Sequence, residues 1–409
     1  MSVIAPPPAA SSFLSARIQH LAESQTIAMA KRSRELAAQG VDVVNLTFGE
    51  PDFPTPQYVK DAAKRALDEG FTYYTPVPGF PELRQAIADK LRRDNQLDFQ
   101  PNQIVVSTGA KQALVNAVLS IVDPGDEVIV FSPFWVSYEE MVKLAEGTPV
   151  HLKGAPENDY KVTAAQLEAA ITPRTKAILY SSPCNPTGAV FSRAELEAIA
   201  AVVARHARIH VIADEIYEYI YFGQEPLFSI GRVAEIADRV ITINGFSKGY
   251  AMTGWRVGYL AARPEIAAAC DKMQSQVTSG TCSVAQRAAL AALLGGRETA
   301  DEMCAHYLRR RDLLLAKLRD IPGLGLTVPE GAFYLFPDVS AFFGKHTPDG
   351  KEIKTVMDLT LFLLSDAHVA LVAGDAFGEP RCVRLSYAAS DERLVEAARR
   401  MKVSLAKLV

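Results

Sequence analysis

The stretch TKAILYSSPCNPTGAVFSRAELEAIAAVVARHARIHVIADE, residues 175–215, decides the fold of this chain. It opens with the short apolar run TKAILY and closes with a second one, RIHVIA, and both have the length of a buried strand. Between them, SRAELEAIAAVVARH carries apolar residues at helical spacing. A strand, a helix and a strand in this order predict two parallel strands joined by a crossover helix.

The same alternation extends through the middle of the chain. From residue 100 the runs QIVVST, DEVIVFSP and RVITING alternate with helical patterns, which predicts an α/β fold with a mostly parallel sheet covered on both faces. A break at LLGGRET precedes a smaller α+β unit that contains GAFYLFPDV and RCVRLSYA. We therefore expect a mobile arm at 1–13, a small domain made of 14–58 and 296–409, and a large domain at 59–295.

Composition and charge exclude several classes of protein. The 409 residues carry a net charge of −4, which gives no reason to expect nucleic acid as a partner. Five cysteines without a C-x-x-C pair indicate neither a disulfide framework nor a zinc site. The N-terminus lacks the pattern of a secretion signal, and no apolar run reaches membrane-spanning length. We expect a cytoplasmic protein without a membrane partner.

The residues that follow each predicted strand are the candidates for a site, because ligands of open α/β sheets bind outside the carboxyl ends of the strands. After QIVVST, Gly109, Ala110 and Lys111 lead into a helix whose free N–H groups would attract an anion; a plain tight turn is the alternative. After DEVIVFSP, Trp135 offers a stacking surface or packs in the core. After TKAILYSSP, Asn185 stands in a turn-forming segment and would aim its amide into the crevice.

The next two strands place ionisable side chains at their ends. After RIHVIA, Asp214 and Tyr217 lie three residues apart, so one helical turn would bring them together; a helix cap by Asp214 is the alternative. After RVITIN comes Lys248, with Arg256 further along. Lysine is rarely buried without a partner or a task. Burial would lower the pKa of its amine and make it a nucleophile and a base.

A serine nucleophile must be weighed against this lysine, because residues 245–249 also match G-x-S-x-G around Ser247. A serine elbow leads into a helix, whereas the following YAMTGWRVGYLAA returns to a strand-like pattern. His206 and His210 lack the glutamate of H-E-x-x-H and straddle a helix end and a strand, so no metal site is expected. Lysine is therefore the preferred reactive group.

Together the strand ends match the needs of an electron-sink cofactor with an aldehyde, a ring nitrogen, a phenolic oxygen and a phosphate. Such a cofactor needs an amine, a carboxylate at the ring nitrogen, donors to the ring oxygen, a phosphate cradle and a stacking aromatic side chain. The chain offers a candidate for each: Lys248, Asp214, Asn185 with Tyr217, the Gly109 turn with Ser247 and Arg256, and Trp135.

From about residue 14 to the C-terminus the sequence resembles the class I aminotransferases of fold type I, which use pyridoxal 5′-phosphate (PLP), and among them the prokaryotic aspartate aminotransferase branch. The matching motifs are NLTFGEPDFPTP, YTPVPGFPELR, STGAKQAL, SPFWVSY, SSPCNPTG, ADEIYE, SKGYAMTGWRVGY and CVRLSYA. The resemblance implies a mostly parallel sheet, of the seven-stranded kind, in the large, PLP-binding domain. It also implies that GEPDFPTP is a hinge that lets the small domain close.

The resemblance assigns cofactor roles to these residues. Lys248 would form a Schiff base with PLP and then shuttle a proton. Asp214 would keep the pyridine nitrogen protonated, Asn185 and Tyr217 would hydrogen-bond the ring oxygen, and Trp135 would stack on the ring. Four residues would hold the phosphate: Gly109, Ala110, Ser247 and Arg256. Tyr74 of a neighbouring subunit would reach the same phosphate, which implies a homodimer with shared active sites.

The resemblance also implies a binding site for acidic substrates. Arg384 would clamp the substrate α-carboxylate, although the residues alone favour a surface arginine there. Lys111 would face the distal carboxylate, with a plain solvated lysine as the alternative. Further contacts are implied for Asn185, Trp135, the backbone of Gly49, and the hydroxyls of Ser24 and Thr26.

Two cations favour transamination between aspartate and 2-oxoglutarate, giving oxaloacetate and glutamate by a ping-pong route. Relatives that act on prephenate commonly carry a basic residue where this chain has Ala22. Because that basic residue is missing, prephenate or aromatic substrates are the alternative and not the preferred class. A C–S β-lyase is a second alternative, and it would release pyruvate and ammonia. A regulator would bind PLP without turnover, and a binding module without PLP would be colourless.

Overall fold

The structure is a computed structural model, and it describes residues 13–19, 21, 29, 33–36 and 38–409. Ala22, Ser24, Thr26 and nearly all of the expected arm at 1–13 lie outside the described residues. Within the described part, no helix has both the length and the apolar character needed to cross a bilayer.

Helices and strands alternate over most of the described chain. The helices are α1 (Ala16–Gln19), α2 (Gln57–Asp68), α3 (Pro81–Lys90), α4 (Ala110–Ile121), α5 (Ser137–Leu144), α6 (Ala164–Ala170), α7 (Arg193–Ala204), α8 (Pro264–Val277), α9 (Ser283–Leu294), α10 (Glu298–Leu318), α11 (Val356–Phe362) and α12 (Asp391–Leu405). The strands are β1 (Val44–Asn45), β2 (Ile104–Ser107), β3 (Glu127–Ser132), β4 (Thr148–Lys153), β5 (Thr175–Ser181), β6 (His210–Asp214), β7 (Val240–Gly245), β8 (Gly258–Ala261), β9 (Tyr334–Leu335), β10 (Val369–Ala370), β11 (Val372–Ala373) and β12 (Val383–Ser386).

The central sheet has seven strands in the order β2-β8-β7-β6-β5-β3-β4. The strands from β7 to β4 pair in parallel, while β8 runs antiparallel to both of its neighbours, β2 and β7. The predicted α/β fold with a mostly parallel sheet is thereby confirmed.

Both faces of this sheet are buried, as the apolar strand sequences require. In β3, Val128 and Val130 pack on one side with α4, α5 and α8. Ile129 and Phe131 point to the other side and pack with α6 and α7. Side chains alternate between the two faces of a strand, so a strand covered on both faces is apolar at every position.

A second group of elements packs beside the sheet. Strands β11, β12 and β9 form an antiparallel sheet, and β1 pairs in parallel with β10. One hydrophobic cluster joins Val44 and Leu46 to Leu314 of α10 and Leu394 of α12. The segment before residue 58 therefore packs with the C-terminal part, and the boundaries of the expected domains stay a prediction.

Candidate active site

A cavity of about 350 Å³ lies at the carboxyl ends of the central strands. Most of the residues expected at the site line it: Gly49, Ala110, Lys111, Trp135, Asn185, Asp214, Tyr217, Ser247, Lys248, Arg256 and Arg384. The residues that the sequence did not single out are Arg34, Thr47, Phe48, Leu114, Tyr138, Ser181, Ile216 and Thr253.

One end of the cavity is a cradle for an anion. Gly109 has a φ of +82° and directly precedes α4. The first N–H groups of a helix have no intrahelical partners, and those of α4 lie at this end of the cavity. A Cβ atom on Gly109 would lie 2.4 Å from Nη2 of Arg256, so glycine lets the guanidinium approach the turn. Arg256 Nη1 donates to the carbonyl of Thr253 at 2.9 Å. The helix N-terminus and this guanidinium together favour a phosphate.

Asp214 is a buried carboxylate at the end of β6, with 4% of its surface exposed. It accepts hydrogen bonds from the Tyr138 hydroxyl at 2.6 Å and from the Ile216 N–H at 3.2 Å. Burial raises the pKa of Asp214 to about 6, and the bond from Tyr138 and the nearby Lys248 oppose that rise. Because few hydrogen-bond donors surround Asp214, its carboxylate can accept a further hydrogen bond from a protonated ring nitrogen. The bond from Ile216 closes a turn, and residues 216–219 form turns and no helix, so the helix-cap alternative is wrong.

Lys248 reaches into the cavity from the turn after β7. Its Nζ donates to the backbone carbonyl of Gly49 and lies 5.8 Å from the centre of the Tyr217 ring. Burial lowers the pKa of Lys248 to about 8, with Glu50 opposing and Arg384 adding to the decrease. An amine with a pKa of about 8 is partly neutral near physiological pH, so it can act as a nucleophile and a base. Ser247 is followed by turns and then by β8, not by a helix, so the serine elbow is absent here.

We expect the apoprotein to show this lowered pKa directly in the rate at which Lys248 is acylated by a small reagent. The protonated amine is unreactive, so the rate should rise with pH and level off above pH 8. Exposed lysines, which titrate near about 10.4, should continue to gain reactivity. Peptide mapping after brief labelling measures each site separately. The same pH profile at Lys248 and at exposed lysines would contradict the lowered pKa.

Arg384 is a buried cation on β12, with only 3% of its surface exposed. Its Nη1 donates to Oδ1 of Asn185 at 3.0 Å, and its Nη2 donates to the Thr47 carbonyl at 2.7 Å. Its Nε is buried without a hydrogen-bond partner, and burial lowers the pKa of Arg384. The surface position that the residues alone favoured is wrong, because β12 lies inside the small three-stranded sheet.

Aromatic side chains shape the rest of the cavity. The hydroxyls of Tyr217 and Tyr334 lie 2.8 Å apart, and the Tyr334 ring centre is 4.5 Å from the Arg384 guanidinium carbon. Trp135 packs edge-on against Tyr138, with the ring centres 5.6 Å apart. Lys111 Nζ lies 4.9 Å from the Trp135 ring centre. Desolvation, and secondly Arg256, lower the pKa of Lys111.

Among the residues that the structure describes, two expected site residues do not line the cavity, Tyr74 and Gly109. Tyr74 is 98% exposed, which leaves its expected contact with a neighbouring subunit a prediction. Ser24 and Thr26 lie outside the described residues. Gly109 contributes the turn beneath the cavity, although its neighbour Ala110 provides the lining.

Sequence reasoning missed three side chains with evident contacts. Tyr138 holds Asp214, Tyr334 holds Tyr217, and Arg34 reaches the cavity from the N-terminal segment. Tyr138 stands inside the quoted motif SPFWVSY, so a strand-end search extended by one helical turn would have found it. Tyr334 and Arg34 come from distant segments, and no local pattern points to them.

The residues of the cavity fit PLP. A buried carboxylate, an amine of lowered pKa and an anion cradle each match one group of that cofactor. Arg384 adds a buried guanidinium that pairs with no carboxylate among the residues that the structure describes and has an unsatisfied Nε. Burying a charge without a partner is costly, so this arginine indicates a bound anion besides the phosphate.

Comparisons with known proteins show the family to which the chain belongs. Residues 41–401 match the family described as Aminotransferase class I and II. An aspartate/prephenate aminotransferase of Cereibacter sphaeroides is 46% identical over 97% of this chain and 99% of its own length. The crystal structure of an aspartate aminotransferase from Rhizobium meliloti superposes with a TM-score of 0.94 at 41% identity, covering 97% of this chain and 99% of the other. An aspartate aminotransferase from Thermus thermophilus, solved with maleate, gives a TM-score of 0.89 at 44% identity, with 96% and 99% covered. With a lysine, a carboxylate and an anion cradle set at the ends of a fold type I sheet, the chain belongs to the class I and II aminotransferases, and its cofactor is PLP.

Proposed function

We propose that this enzyme transfers the amino group of aspartate to 2-oxoglutarate, giving oxaloacetate and glutamate in two half-reactions at one site. The observation that carries the proposal is the pair of cations Arg384 and Lys111 in the cavity that holds Lys248. One cation for each carboxylate would select dicarboxylic amino acids and oxo acids. The similar proteins that are named aspartate aminotransferases support the same substrate class.

PLP, when bound, supplies an electron sink for the bond-breaking at the substrate α-carbon. The chain itself orients the substrate and moves the proton. Arg384, positioned by Asn185 and Thr47, holds the α-carboxylate. Lys248 Nζ takes a proton from the α-carbon of the amino acid in the first half-reaction and gives a proton to the α-carbon of the oxo acid in the second, since an amine with a pKa of about 8 can do both near neutral pH. Asp214 would keep a proton on the ring nitrogen of PLP, and Tyr138 holds the Asp214 carboxylate in place.

Replacement of Lys111 by alanine tests the substrate class. We expect kcat/KM for aspartate and glutamate to fall about 10- to 100-fold, because a charged hydrogen bond contributes about 1.5–3 kcal/mol. Alanine, which has no distal carboxylate, should be affected far less. Steady-state kinetics with the three amino acids measures the difference. Equal losses for alanine and aspartate would show that Lys111 does not bind the distal carboxylate.

A second candidate activity is the amination of prephenate. The relative from Cereibacter sphaeroides carries both activities in its name. A substrate scan separates the two candidates, since amino donors that react remove the visible absorbance of bound PLP and oxo acids that react restore it. Turnover with prephenate or aromatic acids alone would overturn the aspartate proposal. Release of pyruvate and ammonia would instead indicate a C–S β-lyase.

We further propose a homodimer in which Tyr74 reaches the phosphate site of the partner subunit. Tyr73 and Tyr74 are almost fully exposed, and Val277 is exposed as well. Gly280 packs directly against Thr75, since a Cβ atom on it would lie 2.1 Å from the Thr75 Oγ1. The two segments therefore form one surface with large exposed apolar side chains, as expected of an interface. Sedimentation of the holoenzyme tests this, and a monomer would contradict it.

The domain division and the location of the protein are also proposals. Residues 14–58 and 296–409 would form the small domain and 59–295 the large one, with closure around residue 50 excluding water from the site. The contact between Lys248 and Gly49 supports a role for that segment at the site. Five cysteines without a disulfide support a reducing compartment, the cytoplasm.

A further inference from the structure

Arg34 is a cation at the cavity that the proposed reaction has not used. It lines the cavity together with Thr47, Phe48 and Gly49, and its side chain is exposed. Among the residues that the structure describes, no carboxylate forms an ion pair with it. A long cationic side chain that faces a binding cavity without a counter-ion is available for an anionic ligand.

The segment that carries Arg34 is fixed against the body of the protein. Its neighbour Ser33 is buried, and Leu36 packs against a cluster formed by Met29, Leu364 and Ala370. The backbone at residue 34 is therefore held, while the exposed guanidinium can still change its position. An exposed, long side chain on a packed segment suits a residue that must reach a ligand in the cavity.

The other cations of the cavity are already engaged. Arg256 lies against the anion cradle, and Arg384 is held by Asn185 and Thr47. Lys111 lies over the Trp135 ring, and Arg256 contributes to the lowering of its pKa. Lys111 therefore lies near the phosphate end of the cavity. Of these three cations, Lys111 alone is left for the distal carboxylate of a long substrate, and its contact with Trp135 already engages part of it.

We propose that Arg34 is a specificity-determining residue that binds the distal carboxylate of dicarboxylic amino acids and oxo acids, together with Lys111. The proposal deepens the proposed function and rests on it for the identity of the substrates. A ping-pong enzyme for aspartate and glutamate must accept distal carboxylates that differ in position by one methylene group. A rigid cation suits one of these positions, whereas an exposed arginine can follow both.

Replacement of Arg34 by methionine removes the charge and keeps a long apolar side chain. In the holoenzyme we expect KM for aspartate and glutamate to rise about 10- to 100-fold, with kcat changed less than about twofold and kinetics with alanine preserved. Arg34→Lys should restore part of the affinity, because it returns the charge without the planar fork. Arg319→Met is the matched control, since Arg319 is exposed at the end of α10 and outside the cavity.

Binding of maleate, an unreactive dicarboxylate, is measured beside turnover by the absorbance of bound PLP. Arg34→Met should weaken maleate binding by a similar factor and leave the binding of propionate unchanged. Equal effects on monocarboxylates and dicarboxylates, or no effect on either, would overturn the role of Arg34. If the wild-type enzyme binds maleate but does not turn over aspartate, the proposed function fails, while the comparison of maleate affinities still decides the role of Arg34.

Discussion

Lys248→Ala is expected to leave PLP bound without a covalent link and to reduce kcat about a thousandfold, the range that a lost general base and nucleophile explains. The reason is that Lys248 lines the cavity and is a buried amine with a lowered pKa. Arg256, Arg384 and Asp214 remain in place in this variant, so binding of PLP and substrate should persist.

The measurement combines single-turnover kinetics with denaturing gel filtration. After borohydride treatment the variant should release all of its PLP on denaturation, whereas the wild type should retain it, and the variant should show slow single turnovers. Lys64→Ala is the control, because Lys64 lies on the surface of α2 and pairs with Asp61 at 3.1 Å. Full activity of Lys248→Ala would remove this residue from the mechanism.

Arg384→Leu is expected to raise KM for every amino acid by about 100-fold or more, because two charged hydrogen bonds to the α-carboxylate are lost. Unlike the loss at Lys111, this loss should be the same for alanine and aspartate, since both carry the α-carboxylate. Arg384→Lys should recover little of the affinity for amino acids, because an ammonium group cannot replace the planar guanidinium, which also stacks on Tyr334.

The same substitution should not destabilise the apoprotein. Arg384 is buried without a carboxylate partner among the described residues and has an unsatisfied Nε, so its desolvation opposes folding until an anion binds. Leucine removes this cost, which offsets the hydrogen bonds lost by Asn185 and Thr47. Thermal unfolding of the apoprotein measures the effect. A large decrease in Tm with equal loss of kcat would indicate a structural role instead of a carboxylate clamp.

Much of the fold could be predicted because parallel strands are buried on both faces and therefore apolar throughout. The strands that precede Gly109, Asn185, Asp214 and Lys248 were found in this way, and the residues at their ends lie at one cavity. The direction of β8 could not be predicted, because Gly258–Ala261 is apolar and buried whichever way it runs.

Contacts between distant segments were beyond the sequence. The motif SPFWVSY includes Tyr138, but only the packing of α5 against the sheet shows that its hydroxyl reaches Asp214. Arg384 looked like a surface residue, because its burial depends on Thr47 and Asn185, which come from two other segments. Periodicity reports which face of an element is buried, and it does not report which partner lies there.

The covalent attachment of PLP to Lys248 is tested most directly by borohydride treatment of the holoenzyme, followed by peptide mapping. We expect the visible absorbance of the holoenzyme to be lost and a single pyridoxyl group to be found on the peptide that contains residue 248. A labelled peptide that lacks this residue, or no labelled peptide, would contradict the central claim.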